Sequence, residues 1–482
     1  MKEDLMALEP KEVFKYFSQI LEIPRPSKKE GKIRDYLLNW GNTRGLETFR
    51  DEIGNVIIRK NATKGYENKP WVCLQGHMDM VCEKNNDKVF DFEKDSIEAY
   101  IDNGWVKAKG TTLGADCGIG VAMILAILDS DDIEHGNIEA LFTVDEETGL
   151  TGANALGEDT LKSRILINLD SEDEGELFIG CAGGKDTLGK IPYQKEASPE
   201  GIGLKICVSG LKGGHSGDDI NKGLACANKV LNRILWTINK EVDYALSSFE
   251  GGNLRNAIAR EAKAVLVATE KDSEEIIRMV EQYNKEICFE FRSTEPNMSV
   301  KIEKVEKPKE VIDSMTQEDL LNVLYAIPHG VLAMSREIPN FVETSTNLAS
   351  VKMIDDCFVI ATSQRSSVET AKEAACDRNE ACFLLVGADV SHGDGYPGWT
   401  PNPDSKILKI ASESYERLFN KKPIVRAIHA GLECGLIGEK YKGMDMISFG
   451  PTLRGVHSPD EKLEIKTVEM CYKHTLDILK HI

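Results

Sequence analysis

Leu141–Gly152 reads LFTVDEETGLTG, and the interpretation of the whole chain turns on that string. An apolar run rich in strand formers (Leu141, Phe142, Thr143, Val144) stops at three consecutive acids, Asp145, Glu146 and Glu147, and a glycine turn follows at Gly149 and Gly152. Acids packed side by side at the end of a buried strand repel one another, so such a place calls for a strong positive charge or a raised pKa. On its own an acid triplet also reads as a solvated turn. Three further segments of the same form argue against that.

Trp71-Val-Cys-Leu-Gln75 runs into Gly76-His77-Met78-Asp79, and Arg164-Ile-Leu-Ile-Asn-Leu169 runs into Asp170. Met444-Asp-Met-Ile-Ser-Phe449 runs into a loop carrying His457 within GPTLRGVHSPDE. Ligands of open α/β sheets gather outside the carboxyl ends of the strands. Four strand ends delivering two histidines and three carboxylates therefore point at one crevice and a metal centre.

The 482 residues exceed one typical domain. Hydrophobic residues at 41% and charged residues at 29% are ordinary for a soluble globular protein. With 79 acidic against 59 basic residues the net charge is −20, which argues against a nucleic-acid partner, since a basic footprint is the usual requirement. The 12 cysteines show no CxxC pairing, and Cys73, Cys207, Cys288 and Cys357 lie in apolar runs as small hydrophobes, which points to a reducing, cytoplasmic compartment. MKEDLMALEPKEVF carries no apolar signal core and no stretch approaches ~20 apolar residues, so neither export nor a membrane span is expected.

Along the chain, Val13, Phe14, Phe17, Ile20 and Leu21 share one helical face, ended by Pro24 and Pro26. A second helix from about Lys28 to Thr43 has Ser27 and Glu30 spaced as a capping box. A polar excursion over 83–110 precedes TTLGADCGIG, where Asp116 reads either as the N-cap of the apolar helix 121–128 or as a bridging carboxylate. From about Asp186 to Gly393 the strand and helix signals continue without metal-like strand ends, which suggests an inserted domain whose second half repeats the flavour of the first, without a clear sequence repeat. The chain then returns to the first domain, which explains the remoteness of His457 from the other candidate ligands.

Two histidines and three carboxylates with no thiolate in the pattern suit zinc, manganese or cobalt, and two ions sharing a bridging carboxylate fit the inventory. Asp79, two residues beyond His77, is placed to orient that imidazole. One of the adjacent glutamates can ligate while the other acts as general base.

The strings GHMDMV, TLGADCGIG, TVDEETGLTGA, NLDSEDEGEL, GLKGGHSGDD, GGNLRNAI, YPGWTPN, HAGLECG and SFGPTLRGVHSPDE, in that order, resemble the aminoacyl-histidine dipeptidases (Xaa-His dipeptidases, peptidase D) of the di-zinc aminoacylase and carboxypeptidase superfamily. The resemblance spans nearly the whole chain and implies an α/β fold: a zinc-peptidase-type α/β/α catalytic domain in two parts, 1–185 and 394–482, with an α+β lid domain inserted at 186–393. It implies two Zn2+ per subunit, with Mn2+ or Co2+ as substitutes. His77 and Asp170 would hold one ion, Glu147 and His457 the other, and Asp116 would bridge. It implies Glu146 as general base, Asp79 as the support of His77, and His215 as oxyanion stabiliser. Asn256, Arg365 and the backbone at Gly431 fall on substrate-binding positions, Arg365 as a fork for a free carboxylate.

The expected activity is hydrolysis of dipeptides, Xaa-His such as carnosine above all, by metal-activated water. The partner is then a dipeptide, with no nucleic acid, no membrane and a possible homodimer. The alternatives are an N-acyl amino acid deacylase or tripeptide aminopeptidase on the same scaffold, or a non-catalytic binding protein. His135, His329, His392, His474 and His481 read as structural, and His429 is left open.

Overall fold

The computed structural model describes residues 2–482 and divides into two compact units. The first comprises residues 2–180, 401–427 and 432–482; the second comprises 181–400 and 428–431. The expected boundaries at 185/186 and 393/394 therefore fall inside the second unit, and a four-residue return at 428–431 had no signal in the sequence.

In the first unit an eight-stranded mixed sheet has four parallel strands at its centre, in the order Ile138–Thr143, Val72–His77, Ile165–Asn168 and Asp445–Ser448. Antiparallel Val56–Lys60 and Glu47–Arg50 extend one side, Glu176–Cys181 and Ile424–Ile428 the other. Val72–His77 and Ile138–Thr143 are buried at every position, as strands covered on both faces must be. Register pairs His77 with Thr143, Gln75 with Asn168, and Asn168 with Ser448. The four carboxyl ends thus lie along one edge, as the strand-end pattern anticipates.

Helix Ala115–Asp129 is buried along almost its whole length and packs on strand Val72–His77 and on helix Lys11–Ile20. A helix apolar all round has to sit inside the protein. It begins two residues earlier than an N-cap role for Asp116 requires. Gly114 takes the cap position with φ +70°, and Asp116 has non-helical angles inside the first turn.

The capping-box expectation also fails. The second helix starts at Gly31, and the Ser27 hydroxyl donates to Asp79 Oδ2 at 2.7 Å instead of capping it. The polar excursion contains the hairpin Ala99–Asp102/Trp105–Ala108, which pairs with Lys462–Glu464 and through it with Leu453–Arg454. This small sheet supports the loop that carries His457.

The second unit is built on an antiparallel sheet. One half runs in space Ser299–Val305, Ile202–Ser209, Ala262–Ala268, Ala245–Gly251; the other runs Val342–Ile354, Cys357–Ser366, Gly183–Pro192, Asp389–His392. Each half is a strand, a helix, two strands, a helix and a strand in chain order, the second interrupted after its first strand by the whole of the first and carrying an added strand, Gly330–Met334, paired to Val342–Ile354. The halves join at one bridge, Gly251 to Val351. Two similar halves are therefore present in structure although no repeat shows in sequence. Among the described residues no helix is long and apolar enough to cross a membrane, and no disulfide bond links any of the cysteines.

Candidate functional site

The acid triplet closes strand Ile138–Thr143 in a tight turn. Asp145 takes φ +51°, and its carboxylate accepts from the Thr148 and Thr151 hydroxyls. Gly152 N–H donates to Val144 O at 2.9 Å. A Cβ on Gly152 would lie 2.4 Å from Asn55 Oδ1 and 2.7 Å from the Val144 backbone, so only glycine fits there. Asp145 is thereby spent on the turn, and Glu146 and Glu147 face outward from it. Asp79 holds both: its Oδ1 accepts from Glu146 N–H at 3.1 Å and its Oδ2 from Glu147 N–H at 3.2 Å.

His77 ends its strand with Nδ1 3.4 Å from Asp79 Oδ1. Its Nε2 meets two carboxylates at once, Asp116 Oδ1 at 3.1 Å and Asp170 Oδ1 at 3.2 Å. His457, at φ +60° in its loop, sets Nε2 3.2 Å from Asp116 Oδ2 and 3.0 Å from Glu147 Oε2. A non-glycine residue in that backbone region is strained by about 1–3 kcal/mol, a cost that collects at functional sites. The two oxygens of Asp116 are thus divided between two groups of side chains, His77 with Asp170 and His457 with Glu147.

One imidazole proton cannot serve two carboxylates, and the buried Asp170 Oδ1 and Glu147 Oε1 are left without a hydrogen-bond partner. Burial opposes the charged form of His77, yet Asp170, Asp116 and Asp79 together raise its pKa well above the ordinary value. Asp116 and Glu147 push His457 up to about 11. Burial lifts Asp170 to about 6 and Glu172 to about 8, with the surrounding acids adding to it. Burial also raises Glu146 well above the carboxylate range, against the pull of His77. Asp79 goes the other way: bonds from His77, Ser27 and the Glu146 N–H outweigh burial and hold it at about 2. So many carboxyls around two imidazoles leave a deficit of positive charge, and these donors, acceptor-only carboxylates and imidazole nitrogens, fit divalent cations. His77, Glu146 and Glu147 offer ligand atoms within 4.8 Å of one another, as do Asp116, Glu147 and His457. Cys117 also stands close to His77 and Asp170. Its thiol donates to Leu169 O at 3.3 Å, and burial keeps it protonated, a poor ligand form.

Three supports escaped the sequence reading. Glu461, 2% exposed, accepts the N–H groups of Leu113, Gly114, Ala115 and Asp116 at 2.7, 2.9, 2.8 and 3.3 Å, which fixes the segment presenting Asp116. Arg25, fully buried, donates to Asp79 O at 2.5 Å and to Gly114 O, tying the His77 strand end to that segment. Glu433 accepts from Gln75 Nε2 at 2.5 Å and from the Thr143 hydroxyl at 2.7 Å, and burial raises its pKa to about 7. Glu461 and Glu433 lie within strings already singled out, but nothing local marks partners hundreds of residues away.

The remaining candidates gather in the second unit. His215 follows strand Ile202–Ser209, and its Nδ1 accepts from Gly217 and Asp218 N–H, both at 3.3 Å. An accepting Nδ1 leaves Nε2 as the protonated nitrogen of the neutral ring. Ser216 N–H donates to Asn256 O at 2.8 Å, and Arg365 Nε donates to Ser216 Oγ at 3.3 Å, so Ser216 gathers His215, Asn256 and Arg365. The Asn256 side chain is exposed. Gly431 packs against the Tyr396 ring, where a Cβ would come within 2.9 Å of it. His429, left open by the sequence, lies here too: Nε2 is 2.7 Å from Ser345 Oγ, and burial helped by Arg365 lowers its pKa to about 3.

Residues 73–481 match peptidase family M20/M25/M40, and the chain belongs to that family. The cytosol non-specific dipeptidase of Escherichia coli (strain K12) is 41% identical over 480 residues, 99% of either chain. The crystal structure of the aminoacylhistidine dipeptidase from Vibrio alginolyticus superposes with a TM-score of 0.94 at 41% identity, covering 100% of this chain and 99% of that one. The aminopeptidase PepT from Bacillus cereus shares the fold, with a TM-score of 0.58 at 17% identity and 98% of each chain covered.

Proposed function

We propose that this chain is a metal-dependent dipeptidase that prefers Xaa-His dipeptides such as carnosine. The observation that carries the reading is the division of Asp116, one oxygen toward His77 and Asp170, the other toward His457 and Glu147. A carboxylate shared in this way is the bridge a two-cation centre needs. The names of the Escherichia coli and Vibrio alginolyticus relatives support dipeptides and aminoacyl-histidines as the substrates.

His77, Asp116 and Asp170 would hold one Zn2+ and Asp116, Glu147 and His457 a second, with Mn2+ or Co2+ as substitutes. When bound, such a pair supplies the positive charge that acidifies a water and polarises the substrate carbonyl. Asp79 keeps the His77 ring turned and anchors both glutamate N–H groups, so the turn cannot drift relative to the histidine. Glu146, desolvated and avid for a proton, takes one from the attacking water and returns it to the leaving amine. His215 donates from Nε2 to the oxyanion. Arg365 pairs with the free carboxylate of the dipeptide, and the Asn256 amide and Gly431 backbone contribute further hydrogen bonds. The resemblance also suggests a homodimer, which light scattering decides, and a cytoplasmic location, like that named for the Escherichia coli relative.

The test is hydrolysis by metal-stripped protein reloaded with zinc, manganese or cobalt. Xaa-His dipeptides, other dipeptides, N-acetyl amino acids and tripeptides are compared. Highest kcat/KM on Xaa-His is expected. Turnover confined to acetylated amino acids or tripeptides would overturn the reading.

A further inference from the structure

The hydrogen bonds around Arg365 leave two donors unspent. Arg365 is 7% exposed and lies within 4 Å of no carboxylate among the described residues. Its Nε donates to Ser216 Oγ at 3.3 Å and its Nη1 to the Tyr396 hydroxyl at 3.0 Å. That leaves Nη2 and the Tyr396 proton without an acceptor among the described residues. A phenol that accepts from a guanidinium is polarised toward donating its own hydrogen. Burial raises the Tyr396 phenol against the pull of Arg365, so the hydroxyl keeps its proton at neutral pH.

The ring is held so that this hydroxyl cannot swing away. Tyr396 N–H donates to Gly184 O at 2.8 Å, Gly184 N–H returns a bond to Tyr396 O at 3.1 Å, and the buried Lys372 ammonium donates to Tyr396 O at 2.8 Å. A Cβ on Gly184 would fall 2.7 Å from the hydroxyl oxygen, and one on Gly431 2.9 Å from the ring. Two backbones without side chains therefore clasp the phenol beside the arginine.

We propose that Tyr396 is a specificity-determining residue that donates its hydroxyl hydrogen to one oxygen of the substrate's terminal carboxylate while Arg365 takes the other. The assignment rests on the dipeptidase reading above and deepens it: a planar anion with two acceptor oxygens satisfies both unspent donors. An uncharged amide at that end, weaker as an acceptor, does not. The pair thereby makes the enzyme read a free carboxyl terminus.

The experiment compares β-alanyl-histidine with β-alanyl-histidinamide on metal-loaded wild type and Tyr396→Phe. On the acid the variant's KM is expected to rise about tenfold or more, the effect of losing a hydrogen bond to a charged group, with kcat changed less than about threefold. On the amide, wild type and variant are expected to be alike. An equal loss on both substrates, or an unchanged KM on the acid, overturns the assignment. If Tyr396→Phe is insoluble, Gly184→Ala, whose methyl displaces the hydroxyl, is read by the same acid-to-amide ratio with the same outcomes deciding. Wild type inactive on every dipeptide defeats the proposed function and this inference with it, whereas active wild type with an unmoved ratio defeats only the role of Tyr396.

Discussion

His77, Asp116, Glu147, Asp170 and His457 are set by strand ends, a helix start and a braced hairpin, and almost every group near them is an acid. His215, Asn256 and Arg365 stand instead on loops and a strand terminus around Ser216, and a guanidinium dominates them. The first cluster repels itself, and the proposed function completes it with cations. The second holds unspent donors, and the proposed function completes it with an anion. On the proposed function this difference in charge separates residues that would gather metal from residues that would recognise the molecule being cut, and each can be perturbed without the other.

The largest separation is expected from Glu146→Ala. Its turnover on a dipeptide should fall roughly 10⁴-fold, the upper end of what a positioned base contributes, while metal content measured by plasma emission stays at the wild-type ratio. A variant retaining full activity would remove the general base from the mechanism. His215→Ala comes next, with kcat down about 10²–10³-fold, as for loss of one oxyanion donor. Metal content and melting temperature should hold, because His215 supplies no ligand in the proposed metal centre. A loss of metal would show the two clusters to be one.

Glu461→Gln tests the support of Asp116. The amide keeps one oxygen for backbone donors but sets an NH2 group against the others, so metal affinity should weaken about 10–100-fold. Isothermal titration with zinc reads this, and an unchanged affinity would confine Glu461 to fold stability. The smallest effect concerns the core rather than either cluster. His474 is 3% exposed, its Nε2 lies 2.8 Å from Ala411 O, and burial lowers its pKa to about 4. Between about 4 and the unfolded value near 6.5 the unfolded chain binds the extra proton. Stability is therefore whole above that range and falls with pH, by about 2–3 kcal/mol at pH 4.5 from this residue alone. Urea unfolding at pH 7 and pH 4.5 should show His474→Gln with a shallower acid loss, and identical slopes would refute it.

The division between the clusters also marks what could be read from the chain. An apolar run ending in a carboxylate or histidine carries its own geometry, because a buried parallel strand must deliver its next residues to the sheet's carboxyl edge. Hence His77, the acid triplet, Asp170 and the His457 loop were legible without any relative. Arg365 and His215 were not, since a loop histidine and a strand-end arginine look like surface groups until long-range pairing is known; only the resemblance found them. Local signatures misled where a distant partner competed. Ser27 and Glu30 have capping-box spacing, but Asp79 takes the serine hydroxyl. Asp116 has the look of an N-cap, but Glu461 serves the backbone N–H groups there, and the Asp116 carboxylate turns to His77 and His457 instead.

The interleaving of the two units bears on how the protein is made. Asp445–Ser448 slots between Ile165–Asn168 and Glu176–Cys181, so a strand near the middle of the first sheet leaves the ribosome long after both its neighbours. At ~5–20 residues per second the wait is roughly tens of seconds. During it the main stretch of the second unit is completed, while the first exposes an unfilled gap between hydrophobic strands. Nascent chains stalled just short of Asp445 are therefore the form most in need of chaperone cover.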